Sequence, residues 1–337
     1  MEKVLIIHTA FIGDIVLSTP IIEKIKKTNN NIEVYYLTTP AGKAVLQNNP
    51  NIKEIIVYDK RGVHKGIKGF LEIIKIIKSL KIDRAFILHR YLRSSLIAFL
   101  GNIRERVGYN IAAGSFLYTK KVEYKKEKHE VERILSFLDD NKSDENKIVL
   151  YPSESDVEKV EKMWKSLELY GKNVIAIAPG SKWFTKMWPI EYFNKVLEKL
   201  ALNNNIKILV VGGKEEEGLN IEKYDNVENL IGKSSLLELK AIFDKCNMVV
   251  TNDSSPIHIA SSTKAFIVAI FGATVKEFGF YPWSKNSIVV EVEGLECRPC
   301  GIHGGKTCPK NHFRCMREIT PEMVYDIIIK NMNMRGE

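Results

Sequence analysis

The chain has little that would carry it into or across a membrane. Its longest apolar runs, such as Ile267 to Ala273, fall far short of the ~20 residues a spanning helix needs. The first strand-like run, Val4 to Ile7, leads into Gly13-Asp14 without the long apolar stretch and small-residue cleavage site of a signal peptide. A cytoplasmic protein is expected. No G-x-G-x-x-G follows a predicted strand, so a dinucleotide-binding dehydrogenase is not expected. Aromatic residues seldom interleave with the basic ones, which weighs against single-stranded nucleic acid as a partner. There is no low-complexity tract, short-period repeat or long basic tail.

What is present is a soluble, globular composition. Hydrophobic residues make up 45% and charged residues 27% of 337 positions, a length that suits two domains better than one core. Fifty Lys and Arg against 41 Asp and Glu give a formal charge of +9. That excess favours an anionic partner, although the lysines are spread through amphipathic segments, as on an ordinary solvated surface.

Val4–Ile7, Ile32–Leu37, Glu54–Val57 and Arg84–Leu88 read as strands, with helices over 15–27, 67–80, 91–100 and 130–138. The polar segment 139–146 is the expected linker. The pattern then restarts: strands over 174–178, 206–211, 248–250 and 265–271, helices over 190–200, 236–243 and 256–262. A last helix over 321–331 has Thr320 as its N-cap and Pro321 at its first position. Alternating β and α segments predict two doubly wound parallel α/β halves facing a cleft.

Five cysteines are present, four of them late in the chain. Cys297, Cys300, Cys308 and Cys315 form C-x2-C-x7-C-x6-C. A reduced, packed loop is the preferred reading, and tetrahedral zinc on these four thiols is the alternative. Cys246, in an apolar stretch, reads as a small buried side chain.

Four strand-to-helix turns carry candidate chemistry. Phe11-Ile-Gly-Asp14 puts a carboxylate after the first strand: either a helix cap or a group facing the ligand crevice. Pro179 to Pro189 gathers Ser181, Lys182, Thr185 and Lys186, donors suited to phosphate, although a surface turn with packed tryptophans would also account for part of it. Thr251-Asn-Asp-Ser-Ser-Pro-Ile-His258 offers free N–H groups at a helix start, which suit a pyrophosphate. A plain cap would explain Asp253 and Ser254, and His258 could equally be a core histidine. After Gly212-Gly213, one of Glu215 to Glu217 could accept from a ribose diol or simply favour a helix start. A basic set in the first half includes Lys60, Arg61, His64, Lys65, Lys68, Arg90, Arg93, Arg104 and Arg106. It suits an anionic acceptor or a solvated face.

In order and spacing, Ile12-Gly-Asp14, Pro179-Gly-Ser181, Lys186-Met-Trp-Pro189, Asn252 to His258 and Phe271-Gly-Ala-Thr274 resemble glycosyltransferase family 9, the ADP-heptose:lipopolysaccharide heptosyltransferases. The cysteine segment resembles the branch that adds the second heptose. The resemblance implies a GT-B architecture: an acceptor domain over 1–150, a nucleotide-sugar domain over 151–320, and a terminal segment 321–337 that crosses back to the first domain. It implies that Asp14 is the catalytic base of an inverting transfer, and that Lys186, Ser181 and the amides near Ser254 and Ser255 hold the diphosphate. Lys182, Thr185, Asp253 and His258 would line the donor site, with Glu215 on the ribose. Gly13, Lys60, Arg61, His64, Arg93 and Arg106 would meet the acceptor. No cofactor is required on this reading, in keeping with the absence of D-x-D. The implied partners are ADP-heptose, a phosphorylated lipid A–Kdo–heptose acceptor and the inner face of the cytoplasmic membrane, met peripherally by a monomer. One departure stands out: Ser255-Pro256 occupies the place where the family has glycine. Another nucleotide-sugar transferase of the same fold, or a zinc-containing nucleic-acid-binding protein, are the competing readings.

Overall fold

A computed structural model describes residues 1–138 and 146–333. Residues 139–145 of the expected linker therefore lie outside the described residues. The chain divides into two units, Met1–Tyr151 and Pro152–Glu337.

The first unit runs β1 (Lys3–Ile7), α1 (Ile12–Leu17), α2 (Thr19–Thr28), β2 (Glu33–Thr38), α3 (Pro40–Leu46), β3 (Glu54–Val57), α4 (Gly66–Leu80), β4 (Arg84–Ile87), α5 (Leu92–Leu100), β5 (Glu105–Tyr109), β6 (Lys120–Val122) and α6 (Glu130–Leu135). Its strands are all parallel, in the order β3-β2-β1-β4-β5-β6. Helices cover both faces of such a sheet, so β1 reads as a continuous apolar run, Val4 to Ile7, every residue of it buried.

The expected single helix over 15–27 is two helices. Pro20 has no N–H to give to the Val16 carbonyl, and the Thr19 hydroxyl donates to it instead at 2.9 Å. The Ser18 hydroxyl donates to Ile15 O at 2.7 Å and meets the Tyr36 hydroxyl at 2.6 Å. The backbone therefore turns at Ser18 with its polar groups satisfied.

The second unit runs α7 (Glu154–Ser166), β7 (Asn173–Ala178), α8 (Ile190–Ala201), β8 (Ile206–Val210), β9 (Val227–Asn229), α9 (Leu236–Lys245), β10 (Met248–Asn252), α10 (Ser255–Ala260), β11 (Phe266–Phe271), β12 (Ser287–Glu291), α11 (Arg314–Arg317) and α12 (Pro321–Asn333). Its parallel sheet has the order β12-β11-β10-β7-β8-β9, the same topology as the first. In each unit the strand order reverses beside the first strand, between β1 and β4 and between β7 and β10. Open α/β sheets bind ligands at that position.

The last helix, expected to cross back to the first domain, buries Val324 and Ile328 in the second unit's own core, with Trp188, Phe193 and Ile319. Among the described residues, no helix is long and apolar enough to cross a membrane.

Candidate active site

In the first unit, the loops after β1 and β4 meet at the switch point. Asp14 is the third residue of α1, and its Oδ2 accepts from the Phe11 N–H at 3.1 Å. Burial, and next the Glu130 carboxylate, push its pKa from the ordinary carboxylate range up to about 7. The Phe11 and Asp14 N–H groups and Arg90 oppose the rise. Gly13 precedes it in the same helical turn.

Sequence reasoning passed over three groups here. His8, at the end of β1, is buried, and burial followed by His89 holds its pKa near 3. His89 is held at about 4 by burial and then by Lys60 and Arg90; its Nδ1 lies 3.0 Å from the Thr9 hydroxyl and 3.1 Å from that of Ser94. Glu130 forms a buried 2.9 Å ion pair with Arg133. The only signal in the sequence was a Glu and an Arg three apart in a short helix, a pattern usually found on solvated surfaces.

The basic set divides. Burial, then Arg61 and Arg93, lower the Lys60 pKa, so these three cations are neighbours. Arg93 donates to the Tyr58 hydroxyl at 3.3 Å, and His64 Nδ1 accepts from the Asp59 N–H at 3.2 Å. Arg106 does not join them. It lies near the start of β5, level with Ala85, and its guanidinium donates to the carbonyls of Leu117, Ile103 and Arg104. Those bonds brace the first unit at the end of the sheet opposite the ligand crevice.

In the second unit, Asn252 ends β10 and joins the two sides of the switch point. Its Nδ2 donates to Pro179 O at 2.6 Å, and its Oδ1 accepts from the Trp188 N–H at 2.9 Å. The Trp188 indole donates to Ile319 O at 2.8 Å. Lys186, thereby fixed at its turn, forms a 2.6 Å ion pair with Asp253, both side chains largely buried. The same Asp253 oxygen accepts from the Thr274 hydroxyl, contributed by the loop after β11. Ser254 caps α10 and its hydroxyl reaches Gly180 O at 3.4 Å. Ser255 opens the helix, Pro256 follows, and His258 is buried one turn in. Ser181 Oγ accepts from the Trp183 N–H at 3.3 Å, and Lys182 lies over the Trp183 ring.

Two expectations shift. Glu216, rather than Glu215, folds back over the Pro179–Ser181 turn: its Oε2 accepts from the Gly213 N–H at 2.9 Å, and a Cβ on Gly180 would stand 1.7 Å from its Oε1. Burial raises its pKa, with the Gly213 N–H opposing. Thr185, expected to face the donor, is buried against the cysteine segment, where its hydroxyl accepts from the Gly305 N–H at 2.7 Å.

Cys297, Cys300, Cys308 and Cys315 are free thiols. Cys297 Sγ lies 3.9 Å from His312 Nε2, and the Cys300 thiol donates to Cys297 O at 3.3 Å. Burial raises the Cys308 pKa, but the N–H groups of Phe313, Lys310, His312 and Asn311 outweigh it and the net shift is down. Burial, then Cys300, push Cys315 up to about 11. Among the described residues, no group of three His, Cys, Asp or Glu is placed to hold a metal ion.

Residues 70–310 match the model of glycosyltransferase family 9 (heptosyltransferase). The chain is 29% identical to the lipooligosaccharide heptosyltransferase 2 of Campylobacter jejuni, over 97% of this chain and 98% of that protein. It is similar in structure to a glycosyltransferase family 9 protein of Veillonella parvula, with a TM-score of 0.87 and 23% identity over 99% of this chain and 98% of that one. The E. coli ADP-heptose lps heptosyltransferase II superposes with a TM-score of 0.76 at 19% identity, over 99% of this chain and 100% of that one. The two doubly wound six-stranded units are those of the GT-B fold. The chain belongs to glycosyltransferase family 9, the heptosyltransferases.

Proposed function

We propose that the enzyme transfers L-glycero-D-manno-heptose from ADP-heptose to the heptose/Kdo inner core of lipopolysaccharide, with inversion at the anomeric carbon. The observation that carries the mechanism is Asp14, at the β1/β4 switch point with its pKa near 7. A base poised near neutral pH can take the acceptor hydroxyl proton as that oxygen attacks the anomeric carbon. The C–O bond to the diphosphate breaks and ADP leaves carrying the electron pair.

Lys186, held by Asp253, supplies positive charge to the diphosphate as negative charge develops there. Ser181 and the α10 amides at Ser254 and Ser255 add donors, and Glu216 takes the ribose diol. This set can replace a divalent cation. His258 completes the wall behind them, while Lys60, Arg61 and Arg93, with His64 near them in sequence and Gly13 beside Asp14, receive the phosphorylated acceptor. The similarity to lipooligosaccharide heptosyltransferase 2 supports the second heptose as the one added. Ile67 and Leu71 are left exposed on α4 beside Lys65 and Lys68, which supports a peripheral contact with an anionic membrane surface.

The test is transfer from ADP-heptose to a heptose-bearing lipid A core in EDTA. Wild type is expected to be active. Asp14→Ala is expected to lose about 10²–10⁴-fold in kcat while keeping donor affinity. Full activity in the mutant would reduce Asp14 to a helix residue, and an inactive, folded wild type would point to a different sugar or acceptor.

A further inference from the structure

The cysteine segment has no role in the transfer as described above, yet it touches the donor-side ion pair from two directions. On the Lys186 side, the Thr185 N–H donates to Gly305 O at 3.1 Å and the Gly305 N–H returns a bond to the Thr185 hydroxyl at 2.7 Å. Gly304 packs so close that a Cβ there would stand 3.2 Å from Lys186 Cγ. Phe313 stacks on Phe184, with centroids 5.2 Å apart and planes 20° apart. On the Asp253 side, Arg298 donates to Thr274 O at 2.7 Å and to Val292 O at 2.5 Å, and forms a 2.8 Å ion pair with Glu291. Both of those charged side chains are about nine-tenths buried, at 6% and 11% exposed. The neighbouring Cys300 N–H donates to Ala273 O at 2.8 Å. The Thr274 hydroxyl in turn donates to the Asp253 oxygen that holds Lys186.

We infer that the segment between Cys297 and Phe313 braces the Lys186–Asp253 pair, and that Arg298 and Thr274 are positioning residues for it. Arg298 fixes the Thr274 backbone, the Thr274 hydroxyl fixes the Asp253 carboxylate, and Asp253 aims the Lys186 ammonium. A carboxylate with one oxygen shared between a hydroxyl and an ammonium has little freedom to rotate. Without the hydroxyl it can swing and take the lysine with it. A guanidinium is needed at 298 because it must serve two carbonyls and a carboxylate at once, which an ammonium on a flexible stem does not reproduce.

The inference rests on Lys186 serving the donor diphosphate, and the experiment keeps the two apart. Thr274→Val, Thr274→Ser, Arg298→Lys and Lys186→Ala are made in the full chain. For each, kcat, KM for ADP-heptose, KM for the acceptor and Tm are measured. Thr274→Val, which keeps the side-chain shape, is expected to lower kcat/KM for the donor by about tenfold to a hundredfold, the worth of a hydrogen bond to a charged group. Acceptor KM should hold, and Thr274→Ser should recover most of the loss. Arg298→Lys should shift the same donor parameters in the same direction. Unchanged donor kinetics in folded Thr274→Val and Arg298→Lys, with Lys186→Ala still crippled, would overturn the brace and leave the role of Lys186 standing. A loss shared equally between donor and acceptor KM and matched by a fall in Tm would show a merely structural role and also overturn it. Wild-type donor kinetics in Lys186→Ala would overturn the reading on which the inference rests.

Discussion

At the scale of single residues, the chemistry turns on a carboxylate in two environments. Asp253 sits between an ammonium and a hydroxyl, so its negative charge is matched. Asp14 has only backbone N–H groups and the more distant Arg90 to set against burial and Glu130, so its proton is held to about pH 7. As the proposed base the group would work only when ionised, so kcat/KM is expected to climb as pH rises through 7 and to level off above it. Because the folded pKa lies above the unfolded one, ionising Asp14 opposes folding: its contribution is most favourable below the unfolded value near 4 and is lost as pH rises through 7. Asp14→Asn is therefore expected to raise Tm at pH 8 and to raise it much less at pH 5, measured by calorimetry at both. An equal gain at both would place the origin of the effect elsewhere. Asp14 could be read from the sequence as a candidate because its turn follows a strand. The shift could not be, since Glu130 approaches it from more than a hundred residues away.

At the scale of elements, the turns after β7, β8, β10 and β11 form the proposed donor side. Each begins where a buried strand ends, and the parallel sheet brings all four ends to one edge. The sequence places the turns; the packing decides which side chain of each faces the others. Three successive glutamates follow Gly213, and only Glu216 has its carboxylate over Gly180. Glu216→Gln is accordingly expected to raise the donor KM about tenfold, in line with loss of a charge-assisted hydrogen bond. Glu215→Gln should leave it within twofold. Steady-state kinetics at varied ADP-heptose would check both, and the reverse order would restore Glu215 to the ribose. Thr185 illustrates the converse. Its place in a donor-rich turn made it a candidate, but its hydroxyl is taken up by Gly305, far along the chain.

At the scale of the whole molecule, each unit carries its own sheet and its own core. The second gathers α8, α11 and α12 on one face of β7 to β11, with Trp188, Phe193, Met316 and Ile328 fully buried. A unit with that much apolar burial is expected to fold by itself. A fragment of residues 152–337 should unfold in one cooperative transition and bind ADP within about tenfold of the full chain's Kd, measured by calorimetry. A non-cooperative fragment would show that the second core depends on the first 151 residues.

The sequence by itself determined the α/β alternation, the two repeats of it, and the turns that hold Asp14, Lys186 and Asp253. These follow from period and from local turn chemistry, in which apolar runs bury themselves and glycine, proline and hydroxyl residues mark their ends. It did not reveal the strands β5, β6, β9 and β12 or the helices α3, α7 and α11, which are short or, like α7 with only Val160 and Trp164 buried, carry little apolar period. Tertiary structure decided which of the candidate side chains meet. It turned Arg106 to backbone carbonyls, set Glu216 over Gly180, brought Glu130 to act on Asp14 and placed His89 against Thr9. It also set Arg298 and Thr274 behind the Lys186–Asp253 pair. Apart from the local bonds of Arg106, those outcomes depend on contacts between residues far apart in the chain, and no local pattern records them.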